Sequence, residues 1–338
     1  MKDLNKLETG FLQPSEDLIH DLTGLSGDLV ILGAGGKMGP GLSILARNAL
    51  NASGKSNRVI AVSRFSDKAT EQKLNHAGVE TIGSDLLNSH DLDKIPVVPN
   101  IIYMAGRKFG TSGNEPMTWA MNAFLPGKIA EKFRDSRIVV FSTGNVYPFM
   151  PVSSGGAVET DIPSPVGEYA QSCLGRERMF EYFASVNKTP LLIYRLNYAI
   201  DFHYGVMVEI ARSVMEGKEI DLRTGYANMI WQGDANEYAL RCLNLCSNPP
   251  AYLNVTGPET VSVRELATEF GKRFGKEPLF QHHELETALL SNSSKMIKLL
   301  GPPKVALNRM IDLVSEWILE GGSLYDKPTH FQEREGTF

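Results

Sequence analysis

Residues 28–41 read DLVILGAGGKMGPG, an apolar run that leads directly into a glycine-rich turn. The run has the length and composition of a buried strand, and the apolar spacing that follows predicts a helix over 38–50. Gly33, Gly36 and Gly39 therefore lie where a strand passes into a helix. Glycines at such a turn let the backbone approach a pyrophosphate, and the helix N-terminus offers free N–H groups. This context favours a dinucleotide site over glycines that serve only a tight turn.

The alternation of short apolar runs and helical stretches continues to about residue 196. The predicted strands are Asp28–Gly33, Arg58–Ser63, Val79–Gly83, Asn100–Ala105, Arg137–Ser142 and Pro190–Leu196. The predicted helices are Met38–Leu50, Lys68–His76, Met117–Phe133 and Tyr169–Val186. Strands that are apolar throughout suit a parallel sheet covered by helices on both faces. We therefore predict an α/β fold, a Rossmann-like doubly wound parallel sheet with a smaller α+β C-terminal lobe for substrate.

The order of elements loosens after residue 196, which predicts a second lobe. Its predicted elements are Val206–Met215, Glu219–Leu222, Asp234–Cys246, Tyr252–Thr256 and Val263–Phe274. The predicted organisation is an N-terminal extension at 1–27 with a leading helix, a nucleotide-binding domain at 28–196, a substrate lobe at 197–325 whose segments can interleave, and a tail at 326–338. The chain after Gly321 is polar, so we expect it to be loosely held.

Composition excludes several classes of protein. The 338 residues carry a formal net charge of −5 and show no basic cluster, so we expect no nucleic acid and no anionic membrane as partner. There is no run of roughly 20 apolar residues and no apolar leader, which predicts a cytoplasmic protein. Cys173, Cys242 and Cys246 have no CxxC spacing, and the adjacent His282 and His283 belong to no spaced ligand set, so no disulfide and no metal site is expected.

Five short motifs follow one another along most of the chain. They are the GxxGxxG turn, SDL at Ser84–Leu86, YMAG at Tyr103–Gly106, FSTGNVY at Phe141–Tyr147 and the segment that begins at Tyr169. Together they resemble the extended short-chain dehydrogenase/reductases, the NAD(P)-dependent epimerase/dehydratase family. The resemblance implies a nicotinamide cofactor, a small-molecule substrate, and a homodimer formed through the helices at 117–133 and 169–186.

The resemblance also implies which residues contact the cofactor. They are Gly33, Gly36, Lys37, Met38, Gly39, Arg64, Asp85, Leu86, Met104, Ala105, Gly106, Asn122 and Tyr169. The family usually has an acidic residue after the second strand, for the ribose hydroxyls of NAD, whereas this chain has Arg64. A guanidinium can pair with the 2′-phosphate of NADP, so NADP is preferred over NAD. Asp67 could still bind a ribose, and Arg64 could be a solvated surface residue.

The catalytic motif departs from the family at one position. Thr143 and Tyr169 match the hydroxyl that holds the substrate oxygen and the phenol that exchanges its proton. The family's lysine four residues after the tyrosine lowers the phenol's pKa, and here Cys173 takes its place. Three explanations stay open: another cation replaces the lysine, the chemistry is different, or catalysis is lost. Arg176, Arg107 and Lys108 are the candidate cations, and the alternative for Arg176 is a solvated helix charge.

The substrate side is predicted less fully. Arg107 follows the fourth strand, Asn197 resembles a substrate-side asparagine of the family, and Trp231 could cover a sugar ring or belong to the core. Ala227 stands where nucleotide-sugar members have an arginine, which weakens the case for a nucleotide-linked sugar unless Arg223 replaces it. We predict an epimerase, dehydratase or reductase acting on a small hydroxylated compound such as a sugar or sugar acid. The alternative is a non-catalytic NADP-binding sensor or scaffold.

Overall fold

The computed structural model describes residues 8–108, 110, 113–325 and 327–337. Its centre is a seven-stranded sheet in the spatial order β7-β6-β5-β4-β1-β2-β3. The strands are β1 (Leu29–Leu32), β2 (Val59–Ser63), β3 (Glu80–Gly83), β4 (Asn100–Tyr103), β5 (Arg137–Thr143), β6 (Leu191–Leu196) and β7 (Ala251–Val255). All six pairings in the sheet are parallel. The predicted fold class is therefore confirmed.

Helices cover both faces of the sheet. They are α1 (Glu16–Thr23), α2 (Gly39–Ala52), α3 (Lys68–His76), α4 (Ser89–Asp93), α5 (Glu115–Trp119), α6 (Leu125–Lys132), α7 (Gly167–Asn187), α8 (Val206–Glu216), α9 (Gln232–Arg241), α10 (Val263–Phe274), α11 (Ser294–Leu300) and α12 (Leu307–Leu319). Within β1, Leu29 and Ile31 belong to one buried cluster and Val30 and Leu32 to another. Alternate side chains point to opposite faces of a strand, so both faces of this sheet are buried.

The two predicted lobes interleave along the chain. Strand β7 was expected in the C-terminal lobe but pairs with β6 at the edge of the central sheet, and its Leu253 and Val255 are buried there. Helix α9 likewise contributes Ala235, Tyr238 and Leu240 to the core beneath the sheet. The remaining lobe has its own core, to which α8, α10 and α12 contribute. Short strand pairs complete it, formed from 150–151, 199–200, 219–221, 226–227, 230–231, 261–262, 279–281 and 287–288.

Both ends of the described chain pack against the body. In α1, Ser15 caps the helix and Leu18 and Leu22 are fully buried. At the other end Phe331 is 2% exposed and Thr329 is 4% exposed. The expectation of a loosely held tail was therefore wrong, because two of its side chains are buried.

The order of the strands locates the crevice. The connections from β1 run to β2 and β3 on one side, whereas β4 and the strands after it lie on the other. Ligands bind in the crevice that opens at such a switch point, beyond the carboxyl ends of the strands. None of the helices in the described part of the chain has the length and hydropathy needed to span a bilayer.

Candidate active site

Each glycine of the first turn has a separate structural reason. Gly33 has a φ of +91°, and a Cβ there would lie 2.6 Å from the Ala105 nitrogen. A Cβ on Gly39 would overlap the Ala34 carbonyl, so this glycine lets α2 pack closely on β1. At Gly36 the nearest atom to a Cβ is 3.5 Å away, which leaves its backbone open to the crevice. These are the three roles that a dinucleotide turn needs.

The start of α2 is suited to an anion. Its N-cap residue Met38 makes no side-chain capping bond, and the first turn holds no acidic residue. The first N–H groups of a helix have no partner within the helix and carry a positive partial charge. A pyrophosphate at this turn would satisfy them, so the residues present fit a dinucleotide.

The predicted cofactor residues meet in one cleft. It measures about 440 Å³ and lies along the ends of β1, β2 and β4. The predicted residues that line it are Gly33, Gly36, Arg64, Asp85, Leu86, Met104, Ala105 and Gly106. Lys37 and Met38 line the adjoining catalytic cleft, and Gly39 and Asn122 lie buried behind the wall.

Arg64 and Asp67 both line the end of this cleft where adenosine is predicted, but they differ in what they contact. Asp67 caps α3 by accepting from the N–H groups of Ala69 and Thr70 and from the Thr70 hydroxyl at 2.6 Å. Its carboxylate is therefore engaged. Arg64 is exposed beside it and makes no ion pair or hydrogen bond with any residue the structure describes. Of the two, Arg64 has the charged group available to a ligand.

The catalytic end forms a second cleft of about 310 Å³ that shares Gly33, Gly36 and Met104 with the first. Thr143, at the end of β5, and Tyr169, in the first turn of α7, both line it. Burial raises the pKa of the Tyr169 phenol well above its usual value, and the Cys173 thiol adds to the rise. A hydrogen bond with Thr143 acts in the opposite direction.

Arg176, one of the candidate cations, is buried on α7 three residues after Cys173. It is 7% exposed, so the alternative of a solvated helix charge was wrong. Its Nη1 donates to the Phe141 carbonyl at 2.7 Å and its Nη2 to Asn122 Oδ1 at 2.9 Å. Burial raises the pKa of both Tyr169 and Cys173, and the charge of Arg176 opposes this rise in each without overcoming it. Sequence spacing predicted the shared helix face, and the structure adds the burial.

Asn122 joins this cation to the cofactor wall. It lies in a π-helical turn, Ala120–Phe124, between α5 and α6. Its side chain bonds both backbone groups of Arg107 at 2.8 Å and donates to the Ser172 hydroxyl at 3.0 Å. Insertion of a residue into a helix often marks a functional position. At this position the Asn122 amide contacts the segment after β4, Arg176 and Ser172 of α7 at once.

A buried ion pair behind the site was missed in the sequence. Glu177, fully buried on α7, accepts from Arg195 Nε at 3.0 Å and Nη2 at 2.7 Å, and also from the Ser142 hydroxyl. Arg195 Nη1 donates to the Tyr147 hydroxyl at 2.7 Å. The network fixes α7 against the ends of β5 and β6 through charge-assisted hydrogen bonds. Glu177 and Arg195 are 18 positions apart and lie on different elements, so no local spacing in the sequence predicts their pair.

Two lysines give the catalytic cleft a positive character. Lys37 donates to the carbonyls of Ala199 and Tyr204 at 3.2 and 3.3 Å and lies 3.9 Å from Asp201. Burial lowers the pKa of Lys37 to about 8, and burial and the nearby Lys37 lower that of Lys108 to about 8. A desolvated ammonium interacts strongly with an anion that enters its cleft.

The three predicted substrate residues lie in different parts of the structure. Asn197 lines the catalytic cleft and donates to the Leu289 carbonyl at 3.2 Å. Arg107 lines the cofactor cleft, so Lys108 is the residue of that pair that reaches the catalytic end. Trp231 is 2% exposed and packs on Phe11 at 5.0 Å, as expected for a core residue. The described residues contain no group of three or more His, Cys, Asp or Glu side chains placed to hold a metal ion.

The sequence matches no protein-family model, and no curated protein is similar enough to it to count as a match. Solved structures do resemble it. UDP-glucose 4-epimerase of Thermus thermophilus in complex with NAD is 20% identical and has a TM-score of 0.70. UDP-glucuronic acid 4-epimerase of Bacillus cereus in complex with NAD is 17% identical with a TM-score of 0.70. UDP-glucose 4-epimerase of Thermotoga maritima with UDP-glucose is 17% identical with a TM-score of 0.69. Each comparison covers 87% of this chain and 99% of the other. At these identities the likeness establishes a shared fold, a Rossmann-like doubly wound sheet with an interleaved second lobe.

Proposed function

We propose that this protein is an NADP-dependent enzyme of the epimerase, dehydratase or reductase type that acts on a small hydroxylated compound. The observation that carries the proposal is the meeting of Thr143 and Tyr169 in a cleft continuous with the glycine turn. The structural neighbours crystallised with NAD support the same type of cofactor. Arg64 has no partner among the described residues, whereas Asp67 beside it is engaged as a helix N-cap, and this supports NADP over NAD.

A bound nicotinamide supplies the acceptor and the donor of a hydride. The chain's own residues then handle the oxygen and its proton. The Thr143 hydroxyl holds the substrate oxygen, and the Tyr169 phenol exchanges the proton of that oxygen. Because burial raises the pKa of Tyr169, the phenol is protonated at neutral pH and is ready to donate to a carbonyl. In the reverse direction, Arg176 favours the phenolate.

A non-catalytic NADP sensor is the second candidate, and the raised pKa of Tyr169 together with Cys173 favours it. The two candidates differ in what Tyr169→Phe does. An enzyme loses turnover and keeps cofactor binding, whereas a sensor is unaffected. Cys173→Lys adds to the comparison. A gain in activity would indicate a degenerate but competent site, whereas an enzyme in which Arg176 already supplies the cation should not gain, because the two like charges would repel each other.

Calorimetric titration with NADPH, NADH and their oxidised forms tests the proposal first. We expect binding of both dinucleotides, tighter for NADPH. If none of the four forms binds, both candidate functions are rejected, and the protein uses this fold for a purpose that does not involve a dinucleotide.

We also infer that the protein is a cytoplasmic homodimer. Helices α5 to α7 leave large apolar side chains exposed, with Phe124 at 61%, Tyr182 at 60% and Val186 at 59%. Such a patch on adjoining helices is typical of a protein interface. The three cysteines are unpaired, which suits a reducing compartment. Size-exclusion chromatography with light scattering tests the dimer, and a monomeric mass would contradict it.

A further inference from the structure

The C-terminal segment 327–337 forms one wall of the catalytic cleft. Thr329 lines the cleft beside Thr143 and Tyr169. An adjoining small cavity is lined by tail residues and by residues of the cleft, among them His330, Glu333, Arg334, Lys108, Asn145 and Tyr198. The cleft and the cavity share Lys108, Asn145 and Tyr198, so the tail faces the space where a substrate would bind.

This wall is held by specific contacts. Phe331 is buried in the core of the lobe, and the Thr329 N–H donates to Glu209 Oε2 at 2.7 Å. Further along, the tail passes in backbone contact with the start of α7. A Cβ on Gly336 would lie 2.5 Å from the Gly167 Cα, so these two glycines permit the approach. The tail therefore occupies a defined position relative to the helix that carries the phenol.

Arg334 brings a positive charge into the tail's side of the cavity. Its Nη2 donates to the Thr287 hydroxyl at 2.6 Å and its Nη1 to the Thr287 carbonyl at 2.9 Å and the Arg223 carbonyl at 3.4 Å. Its guanidinium lies 4.1 Å above the centre of the Phe149 ring. All of these partners are neutral, and among the residues with described positions no carboxylate pairs with Arg334. A partly buried cation with neutral partners is best stabilised by an anion.

The free volume beneath the tail limits the size of the group that can bind there. The cavity under the tail offers about 20 Å³ of free space, and roughly 10–15 Å³ is enough to hold one water molecule. Gly33 and Gly36 also line the cleft beside it, so a dinucleotide bound at the glycine turn would take up part of that space. The cavity beneath the tail is too small for a nucleoside diphosphate and leaves room for one small polar group at most.

We propose that the substrate is a small hydroxy compound with a carboxylate or phosphate group, not linked to a nucleotide, and that Arg334 and Lys108 bind its anionic group. This inference rests on the proposed function and deepens it by naming the substrate class. It also gives the tail a role as the element that selects small substrates over nucleotide sugars.

The test uses the full chain saturated with NADP⁺, because the cofactor then fills the anion site of the glycine turn. Inorganic phosphate and UDP-glucose are titrated separately at constant ionic strength while the thermal transition is followed. We expect phosphate to raise the transition temperature and UDP-glucose to leave it unchanged. In Arg334→Gln the phosphate concentration for half the effect should rise at least about tenfold, as expected for loss of a charged hydrogen bond.

Two variants serve as controls. Arg273→Gln removes a surface arginine that pairs with Asp312 far from the cleft, and its phosphate response should match that of the wild type. Arg334→Lys keeps the charge but not the fork of hydrogen bonds to Thr287, so it should respond to phosphate more strongly than Arg334→Gln, which distinguishes loss of charge from loss of folding. The inference is overturned if phosphate has no effect on the wild type, if Arg334→Gln responds like the wild type, or if UDP-glucose binds.

Failure of the proposed function is recognised separately. If no dinucleotide binds, the phosphate titration is repeated without cofactor on the wild type and Arg334→Gln. The glycine turn is identical in the two proteins, so a difference between them reports the anion site alone. An Arg334-dependent response would then support the anion site without the enzyme, and an equal response would reject the site too.

Discussion

Replacing Arg64 by alanine tests whether this residue makes the protein bind NADPH more tightly than NADH. Arg64 is exposed at the end of β2, and its guanidinium is free of protein partners in the described structure, so its removal breaks no contact that holds the fold. A hydrogen bond to a charged group contributes roughly 1.5–3 kcal/mol, and solvent screening at an exposed site favours the lower end of that range. We therefore expect Kd for NADPH to rise about tenfold to thirtyfold.

The same change should leave NADH binding within about twofold, since NADH has no 2′-phosphate and the stacking of a free side chain on adenine contributes little at an exposed site. Isothermal titration calorimetry of both cofactors on both proteins gives the four dissociation constants needed. The matched control is Arg58→Ala at the opposite end of the same strand, where the arginine pairs with Asp28 at 2.8 Å. That variant should bind both cofactors like the wild type.

Two results would refute the reasoning about Arg64. An equal loss of affinity for NADH and NADPH would show that the arginine acts on a feature common to both, such as the pyrophosphate. No loss for either would show that the adenosine lies elsewhere and would return Asp67 to consideration.

Three further outcomes follow from the site. Tyr169→Phe should lower turnover at least about a hundredfold with cofactor affinity unchanged, measured by steady-state kinetics and calorimetry; unchanged turnover favours the sensor. Anion affinity should fall as pH rises through about 8, because Lys108 loses its charge there; Lys108→Arg should abolish this fall, and a persisting fall would implicate Lys37. Glu177→Gln should cost about 3–5 kcal/mol of unfolding free energy by leaving Arg195 buried without its counter-charge; denaturant unfolding checks this against Glu80→Gln, whose exposed pair with Arg58 at 3.2 Å should matter by less than about 1 kcal/mol.

Local sequence predicted the α/β half of the chain because its signals are local. The strand, the glycine turn and the helix of residues 28–41 are continuous in the chain, so their order follows from spacing alone. The predicted helices Lys68–His76 and Val263–Phe274 agree with the structure to the residue. Both begin at a polar N-cap, Asp67 for the first and Ser262 for the second, and the second also buries a continuous apolar face.

The features that sequence could not predict depend on distant contacts. Strand β7 begins at Ala251, 55 positions after its neighbour β6 ends at Leu196. Periodicity assigns such a segment to a strand without naming its neighbour. The tail is similar: its sequence is mostly polar, and it packs through Phe331, Thr329 and Gly336, whose partners lie far away in the sequence. Burial of Arg176 likewise required knowledge of what lies opposite its helix face.

The residues around Arg176 accommodate this buried cation. A Cβ at Gly106 would overlap the guanidinium of Arg176, so the glycine after β4 makes room for this cation. A lysine at position 173 would place a second cation in a fully buried position next to Arg176, and two like charges in that environment repel strongly. Cys173, small and uncharged, is compatible with Arg176 where lysine is not. Of the three explanations that the sequence leaves open, this fit of Gly106, Cys173 and Arg176 leads us to predict the first, in which another cation acts in place of a lysine at position 173.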